Sequence, residues 1–432
     1  MSYKVRLQER AKKHGNLRVG LVGAGQMGTG LISQVEKMVG VRVMATADVL
    51  PTRAYNAYLE SDVPANLITE LNENPSRASE LIQSGQRIAT TDSKFLSQID
   101  ALDVIVECTG VPEIGARVCE AAIEAGKDIV NMNVETDATI GYILARKAKE
   151  KGVVYSLIAG DEPGSIKEMY DFADVLGFEI VMVGKGKNNP LDRTANPDNL
   201  AARAKEQKAS AKMLCSFVDG TKTMVEMTSI ANSLGYVPDV PGAHGPNCSV
   251  KELPYKFIPK EDGGLLNNRR GTVDFAVGDV APGVFVIITT DQPKIIRDLK
   301  YLKLNGSDKY WALYRPFHLC NLEAPISVVR AALDHEETLA THRAPTAETV
   351  AYAKVDLNPG DKIDMLGGFT VYGMFYRADQ ARQENLVPLG LTVGGIISKP
   401  VKKGQPIRYD DIQLNESQVI YRLRKEQDKL IS

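Results

Sequence analysis

The chain is short of the residues that would mark a secreted scaffold, a zinc protein or a nucleic-acid binder. Its 432 residues include one Trp, five His and five Cys. Cys108, Cys119, Cys215, Cys248 and Cys320 are scattered, odd in number and free of any Cys-x-x-Cys spacing. This excludes a disulfide framework and a cysteine-ligated zinc site, and it fits reduced thiols in the cytosol. No His-x-x-x-His pair occurs, so the helical zinc pattern is missing too. An excess of one charge is also lacking. Lys and Arg total 52 against 54 Asp and Glu, a formal net charge of −2, so no overall field gathers nucleic acid or anionic lipid. No apolar run approaches a membrane span. Met1 to Gly15 is basic and amphipathic without the apolar centre of a signal peptide.

What is present is an ordinary globular composition, 44% hydrophobic and 25% charged, over a length that calls for two or three domains. Arg18 to Val22 reads as a short buried strand. Gly23-Ala24-Gly25-Gln26-Met27-Gly28 follows at once, and then Met27, Leu31 and Val35 fall at helical spacing. Val41 to Ala47 is the next strand and ends at Asp48. Apolar runs at Asp103 to Val106, Asp128 to Met132 and Val153 to Ile158 alternate with helical stretches at Ile114 to Ala125 and Ile140 to Lys151. Strands alternating with helices predict an α/β fold whose N-terminal domain is a doubly wound parallel Rossmann sheet.

In that setting the glycine run is a dinucleotide site. Gly23 permits the turn, Gly25 lets the backbone approach a pyrophosphate, and Gly28 allows close packing of helix on sheet. Gln26 and Met27 open the helix whose N-terminus faces the phosphates. Asp48 is placed to accept from the ribose hydroxyls and to repel a 2′-phosphate, although Arg53 nearby keeps NADP open. Thr109 and Gly110, in the turn Glu107 to Pro112, are expected to line the cofactor; the same residues also satisfy a plain capping turn. The cofactor is NAD(P)H.

From Asp161 the rhythm changes. Phe178 to Gly184 reads as one more strand, a helix is expected over Leu200 to Lys212 and another over Met224 to Leu234, and strands at Gly271 to Val277 and Gly283 to Thr289. Lys185-Gly186-Lys187-Asn188-Asn189-Pro190 follows the first strand. Its lysines and amides are suited to polarising a carbonyl or binding an anion, or else form a solvated loop. Asp161 and Glu162 are adjacent carboxylates before a helix, candidates for acid/base work, for a metal, or simply for helix N-terminal charge. His244, between glycines in Gly242-Ala243-His244-Gly245-Pro246, and His318 are the histidines placed in loops to move protons. Near the end, Lys354 to Ile363 and Lys399 to Ile407 resemble one another, each a glycine turn between short strands, and Glu416 to Leu430 is a charged amphipathic helix. The expected division is residues 1–160 for NAD(P) binding, an α+β catalytic domain at 161–346 and a small β-rich module at 347–432.

The glycine motif, the strand end Met132-Asn133-Val134-Glu135, Gly160-Asp161-Glu162-Pro163, the run Gly184 to Leu191 and the His244 loop together resemble the 1-deoxy-D-xylulose 5-phosphate reductoisomerase-like proteins. These are relatives of homoserine dehydrogenase with a C-terminal SAF-type module, and the resemblance covers essentially the whole chain. It implies an NAD(P)H-dependent oxidoreductase, in some members coupling an α-ketol rearrangement to carbonyl reduction in isoprenoid biosynthesis. By this resemblance Lys185, Lys187, Asn188 and Asn189 hold and polarise substrate, and Glu135, Asp161, Glu162 and His244 are candidates for proton transfer or metal binding. The need for a divalent metal stays open. Homoserine dehydrogenases carry a lysine after the Ala-Asn of the strand that ends here in Asn133-Val134-Glu135, which argues against homoserine as substrate. Asp48, where the reductoisomerase-like enzymes show basic residues, points equally to an NAD-linked enzyme of a polyol or sugar acid in carbohydrate metabolism. An NAD-sensing binding protein is the alternative of another class. The expected partners are a small-molecule substrate and further copies of the chain, with no nucleic acid and no membrane.

Overall fold

The computed structural model describes residues 1–207 and 210–431, and the chain divides into two compact units. The first comprises Met1–Asp161, Leu319–His342 and the chain from Leu423 on. Its sheet runs β1 (Leu17–Val22), β2 (Val41–Ala47), β3 (Ile68–Glu70), β4 (Arg87–Thr90), β5 (Val104–Glu107), β6 (Asp128–Asn131) and β7 (Tyr155–Leu157). The spatial order is β3-β4-β2-β1-β5-β6-β7, with every pairing parallel. Val19, Leu21, Val41, Val43, Val104 and Val106 are fully buried, as expected of strands covered on both faces. Chain order reverses between β1 and β5, so the loops leaving their carboxyl ends diverge and open a crevice there.

The short strands β3 and β4, of three and four residues, carry too little apolar sequence to stand out before the fold is seen. The helix Cys320–Asp334 places Ala324, Val328, Val329 and Ala331 in the same core as β1 and β2. Residues 319–342 therefore group with the first unit and not with the catalytic segment in which the sequence placed them.

The second unit comprises Glu162–His318 and Arg343–Arg422. Its sheet contains β8 (Glu179–Lys187), β9 (Val237–Pro238), β10 (Thr272–Val277), β11 (Val284–Thr289) and β12 (Tyr310–Arg315), in the order β12-β11-β8-β10-β9. Phe257, Phe285, Leu253, Leu266 and Val280 form the core on one face. The helices Glu162–Val175 and Thr221–Leu234 pack against the sheet and each other. The helix expected over 200–212 is instead Ala201–Glu206 and Ala211–Val218, with 208 and 209 outside the described residues.

The C-terminal segment is β-rich, as its turns predict, with β13 (Ala347–Ala353) paired antiparallel to β14 (Val371–Arg377) and β15 (Ile396–Ile397) to β16 (Ile412–Gln413). The two segments that resemble each other are neighbours: Tyr352, Leu357 and Lys362 bridge Pro406, Val401 and Ile396. Up to Arg422 this segment belongs to the second unit. Lys354, whose side chain is 2% exposed, ties it down by donating to Asp219 Oδ2 at 2.7 Å and to the carbonyls of Ala195 and Gly368 at 2.8 and 2.9 Å. Among the described residues no helix is long and apolar enough to cross a membrane.

Candidate active site

The first unit carries a binding surface made of backbone. A Cβ at Gly28 would stand 2.0 Å from the Gly23 carbonyl oxygen, so only glycine lets the helix Gln26–Glu36 start this close to the end of β1. Gly25, exposed at the cap position, has nothing within 4 Å of where a Cβ would lie, and no side chain caps the helix there. The result is an open cradle at a helix N-terminus, which fits a pyrophosphate. Gln26 is exposed and Met27 half-buried beside it. Asp48, half-buried, closes the cradle's edge by accepting the Ala24 N–H on Oδ2 at 2.9 Å and the Leu50 N–H on Oδ1 at 3.0 Å. On the other side, Cys108 Sγ lies 2.9 Å from the Gly23 carbonyl oxygen, and half-buried Thr109 and exposed Gly110 follow. The spacing reading of Gly23 to Gly28 with Asp48 thus corresponds to residues the fold brings together.

The second unit carries a cluster made of buried charge. β8 runs on through Lys187, beyond the strand end expected at Gly184, so both lysines lie in the sheet and not in a loop. The Gly-Lys-Gly-Lys run alternates across it. A Cβ at Gly186 would stand 2.4 Å from the Ala281 backbone nitrogen, while Lys185 and Lys187, only 5% and 4% exposed, point to the other face. This rules out the solvated-loop reading for the lysines. Lys185 Nζ donates to Glu162 Oε1 at 2.5 Å and also to Glu226 Oε2. Burial works against its charge, but the two carboxylates outweigh burial and hold the ammonium above its ordinary range. Burial pushes the Glu226 carboxyl up to about 7, with Glu162 adding to the rise and Lys185 opposing it. His318 approaches the cluster with Nε2 at 3.6 Å from Glu162 Oε1, and its Nδ1–H donates to the Pro282 carbonyl at 2.7 Å.

Lys187 donates to the carbonyls of Asn189 and Phe217 at 2.6 and 2.8 Å. Burial, reinforced by the charge of Lys185, brings its ammonium down to about 8. Asn188 is exposed, and the half-buried Asn189 side chain accepts from Arg203, so these two amides do not join the lysine cluster.

His244 has a different setting. Its Nδ1 is 2.7 Å from Asp274 Oδ2, and the N–H groups of His244 and Gly245 also donate to that fully buried carboxylate. Its Nε2 is 3.3 Å from Asp239 Oδ2. The Asp274 hydrogen bond outweighs burial and raises the imidazole above its ordinary value. Asp274 stands opposite Gly184 in the β8–β10 register, one residue out of step with Lys185. Strand alternation therefore aims it at the other side of the sheet from Lys185, with His244 tethered to it. Glu135, in the first turn of the helix Val134–Lys151, and the buried Asp161 both belong to the first unit.

Sequence reasoning missed Glu226, Asp274 and Asp239. Two of them had a signal: Glu226 is a lone acid in the apolar stretch Met224 to Met227, and Asp274 a lone acid in the strand Thr272–Val277. A charge kept inside an apolar run needs a buried partner.

Residues 23–157 match the family model described as homoserine dehydrogenase, NAD binding domain, and residues 160–324 match that described as oxidoreductase DRL, catalytic domain. The chain is an NAD(P)-dependent oxidoreductase. No curated protein matches its sequence. Among solved structures, the oxidoreductase is similar to a probable dehydrogenase from Thermotoga maritima, with a TM-score of 0.44 at 12% identity over 74% of this chain and 90% of that one. It is also similar to scyllo-inositol dehydrogenase from Lactobacillus casei, solved with NAD(H) and scyllo-inositol, with a TM-score of 0.37 at 14% identity over 69% and 76%. A DOX-P reductoisomerase solved with fosmidomycin and magnesium gives a TM-score of 0.32 at 15% identity over 49% and 56%. None of the three fixes a substrate for the oxidoreductase.

Proposed function

We propose that this oxidoreductase transfers a hydride between NAD(P)H and a small hydroxylated carbonyl substrate, with Lys185 polarising the substrate oxygen. The observation that carries this is the buried ammonium of Lys185 held between Glu162 and Glu226. Such an ammonium stays charged across the physiological range and is aimed before substrate arrives, which is how an enzyme stabilises charge developing on oxygen. A carboxyl near 7 beside it, that of Glu226, is matched to giving or taking a proton at neutral pH. Glu162 and His318 extend the path along which that proton can move. Lys187, ionised below about 8, supplies a second positive charge for a substrate carboxylate or phosphate. Glu135, Asp161 and His244 remain candidates for proton transfer or metal binding and Asn188 and Asn189 for holding substrate, and a metal requirement is a matter for the assay.

In this reading the N–H groups of Gly25, Gln26 and Met27 hold the pyrophosphate, Asp48 the adenosine ribose, and Thr109 and Gly110 line the nicotinamide side. When bound, NAD(P)H would supply the hydride, or the oxidised NAD(P)+ would accept it in the reverse direction. The first unit then serves as the cofactor domain and the second as the substrate domain, with the β-rich segment after residue 346 as an SAF-type module that shapes access and assembly. Scattered, unpaired cysteines accord with a cytosolic enzyme.

The resemblance to the reductoisomerase-like proteins, with which the match to the DRL catalytic domain accords, makes 1-deoxy-D-xylulose 5-phosphate, rearranged and reduced to methylerythritol phosphate, the first substrate to test. Asp48, beside the cradle and able to repel a 2′-phosphate, favours a second reading, an NAD-linked dehydrogenase of a sugar acid or polyol. The experiment is NAD(P)H turnover by wild type and Lys185→Met over a panel of phosphorylated ketoses, sugar acids and polyols, with and without magnesium. We expect turnover on one class, lost in the variant. A wild type inert to the whole panel, or a variant as active as wild type, counts against the reading.

A further inference from the structure

Glu107 ends β5, fully buried, with its backbone paired to Val22 of β1 on one side and Asn131 of β6 on the other. Few carboxyls sit at the carboxyl edge of a parallel sheet without reaching water. Its Oε1 accepts two bonds from one residue: the Thr109 N–H at 2.8 Å and the Thr109 hydroxyl. Its Oε2 is sealed from solvent. Thr109 Oγ1 in turn accepts the Val111 N–H at 3.3 Å, so Glu107 braces the turn from β5 to the helix Pro112–Glu124 from inside, while Asn133 Nδ2 donates to the Val111 carbonyl at 3.0 Å. A threonine hydroxyl has one proton and two lone pairs. With the proton committed to Glu107 and one lone pair to Val111, what half-buried Thr109 has left to offer is an acceptor.

We propose that Glu107 is a positioning residue of the cofactor site, fixing the Thr109 hydroxyl so that it meets the bound dinucleotide as a hydrogen-bond acceptor. This rests on the placement of Thr109 against the cofactor. An ionised Glu107 holds both Thr109 donors in charge-assisted bonds, roughly twice as strong as those to a neutral carboxyl. Burial pushes Glu107 up to about 7, Glu135 adding to the rise, while the Thr109 bonds and the Asn133 amide pull the other way. Cys108 in the turn and Cys119 on the helix Pro112–Glu124 also feel the Glu107 charge, and burial raises both thiols, which leaves them uncharged at neutral pH. Cofactor affinity then rises as Glu107 ionises.

NADH fluorescence titrations of the full chain between pH 6 and 8.5 test this on wild type, Glu107→Gln, Glu107→Ala and Thr109→Val. The wild-type dissociation constant should fall about fivefold as pH rises through 7. Glu107→Gln, which keeps the acceptor oxygen and the side-chain shape, should bind NADH with no such pH dependence. Glu107→Ala, which releases the turn, should bind more weakly at every pH, as should Thr109→Val. If Glu107→Gln keeps the wild-type pH profile while Thr109→Val is impaired, the role of Glu107 is overturned and the placement of Thr109 survives. A Thr109→Val chain that binds like wild type overturns that placement and the inference with it.

Discussion

The glycine cradle of the first unit and the lysine cluster of the second are built on opposite principles. The cradle is backbone: one turn of six residues, a helix N-terminus and a carboxylate that braces it from the end of the next strand. The cluster is side chain: one ammonium on β8 and carboxylates from two different helices, all withdrawn from water. A site made of backbone fails when a side chain intrudes. A site made of buried charge fails when one partner leaves, because the others stay behind unpaired.

The comparison breaks most visibly at a second buried pair of the same kind. Lys354→Met leaves Asp219 and two carbonyls without their ammonium, and removal of one partner of a buried pair typically costs about 3–5 kcal/mol. Thermal and urea unfolding should show the loss, and NADH affinity should hold. Next comes Glu107→Gln. Burial holds the folded-state pKa at about 7, above the ordinary 4.5 expected when unfolded, so wild type loses stability as pH rises from about 4.5 to 7. Glutamine does not titrate. The variant's stability relative to wild type should therefore climb with pH over that window, by up to about 3 kcal/mol, and stay level outside it. Urea denaturation at pH 5, 6, 7 and 8 measures the trend.

In the cradle, Gly28→Ala drives a methyl into the Gly23 carbonyl and should weaken NADH binding about a hundredfold, equivalent to about 2.7 kcal/mol. Gly25→Ala meets nothing in the free chain. It should leave the melting temperature alone and weaken NADH about tenfold, the smaller effect, because its methyl meets only the ligand.

The same contrast explains what the sequence made legible. The cradle could be read because its parts are local: six consecutive residues, a strand before, a helix after and an aspartate one strand later. The parallel sheet followed from apolar runs alternating with helices, except at β3 and β4, too short to register. The lysine run is legible as a cluster suited to an anion or a carbonyl but not as part of a strand, since Gly-Lys-Gly-Lys has none of the alternating apolar residues of a half-buried strand. Close approach of the 280–283 segment explains Gly186, Phe285 and the Asp274 carbonyl explain Gly184, and buried carboxylates explain Lys185; none of these is local. Glu226 lies 41 residues beyond Lys185, and Asp274 30 beyond His244. Only the sheet register decides that Asp274 and Lys185 face opposite sides. Residues 319–342 fall outside the expected catalytic segment for the same reason: the apolar face of the helix Cys320–Asp334 says that it packs, but not against which core.

The central claim is that the two units divide the work, cofactor on backbone and substrate on buried charge. Lys185→Met tests it most directly, with NADH affinity and turnover on a responsive substrate measured on the same preparation. The account predicts a dissociation constant within about twofold of wild type and turnover lower by about a hundredfold, the usual effect of losing one aimed donor. Wild-type turnover, or a loss of NADH binding in a chain that still folds, would contradict it.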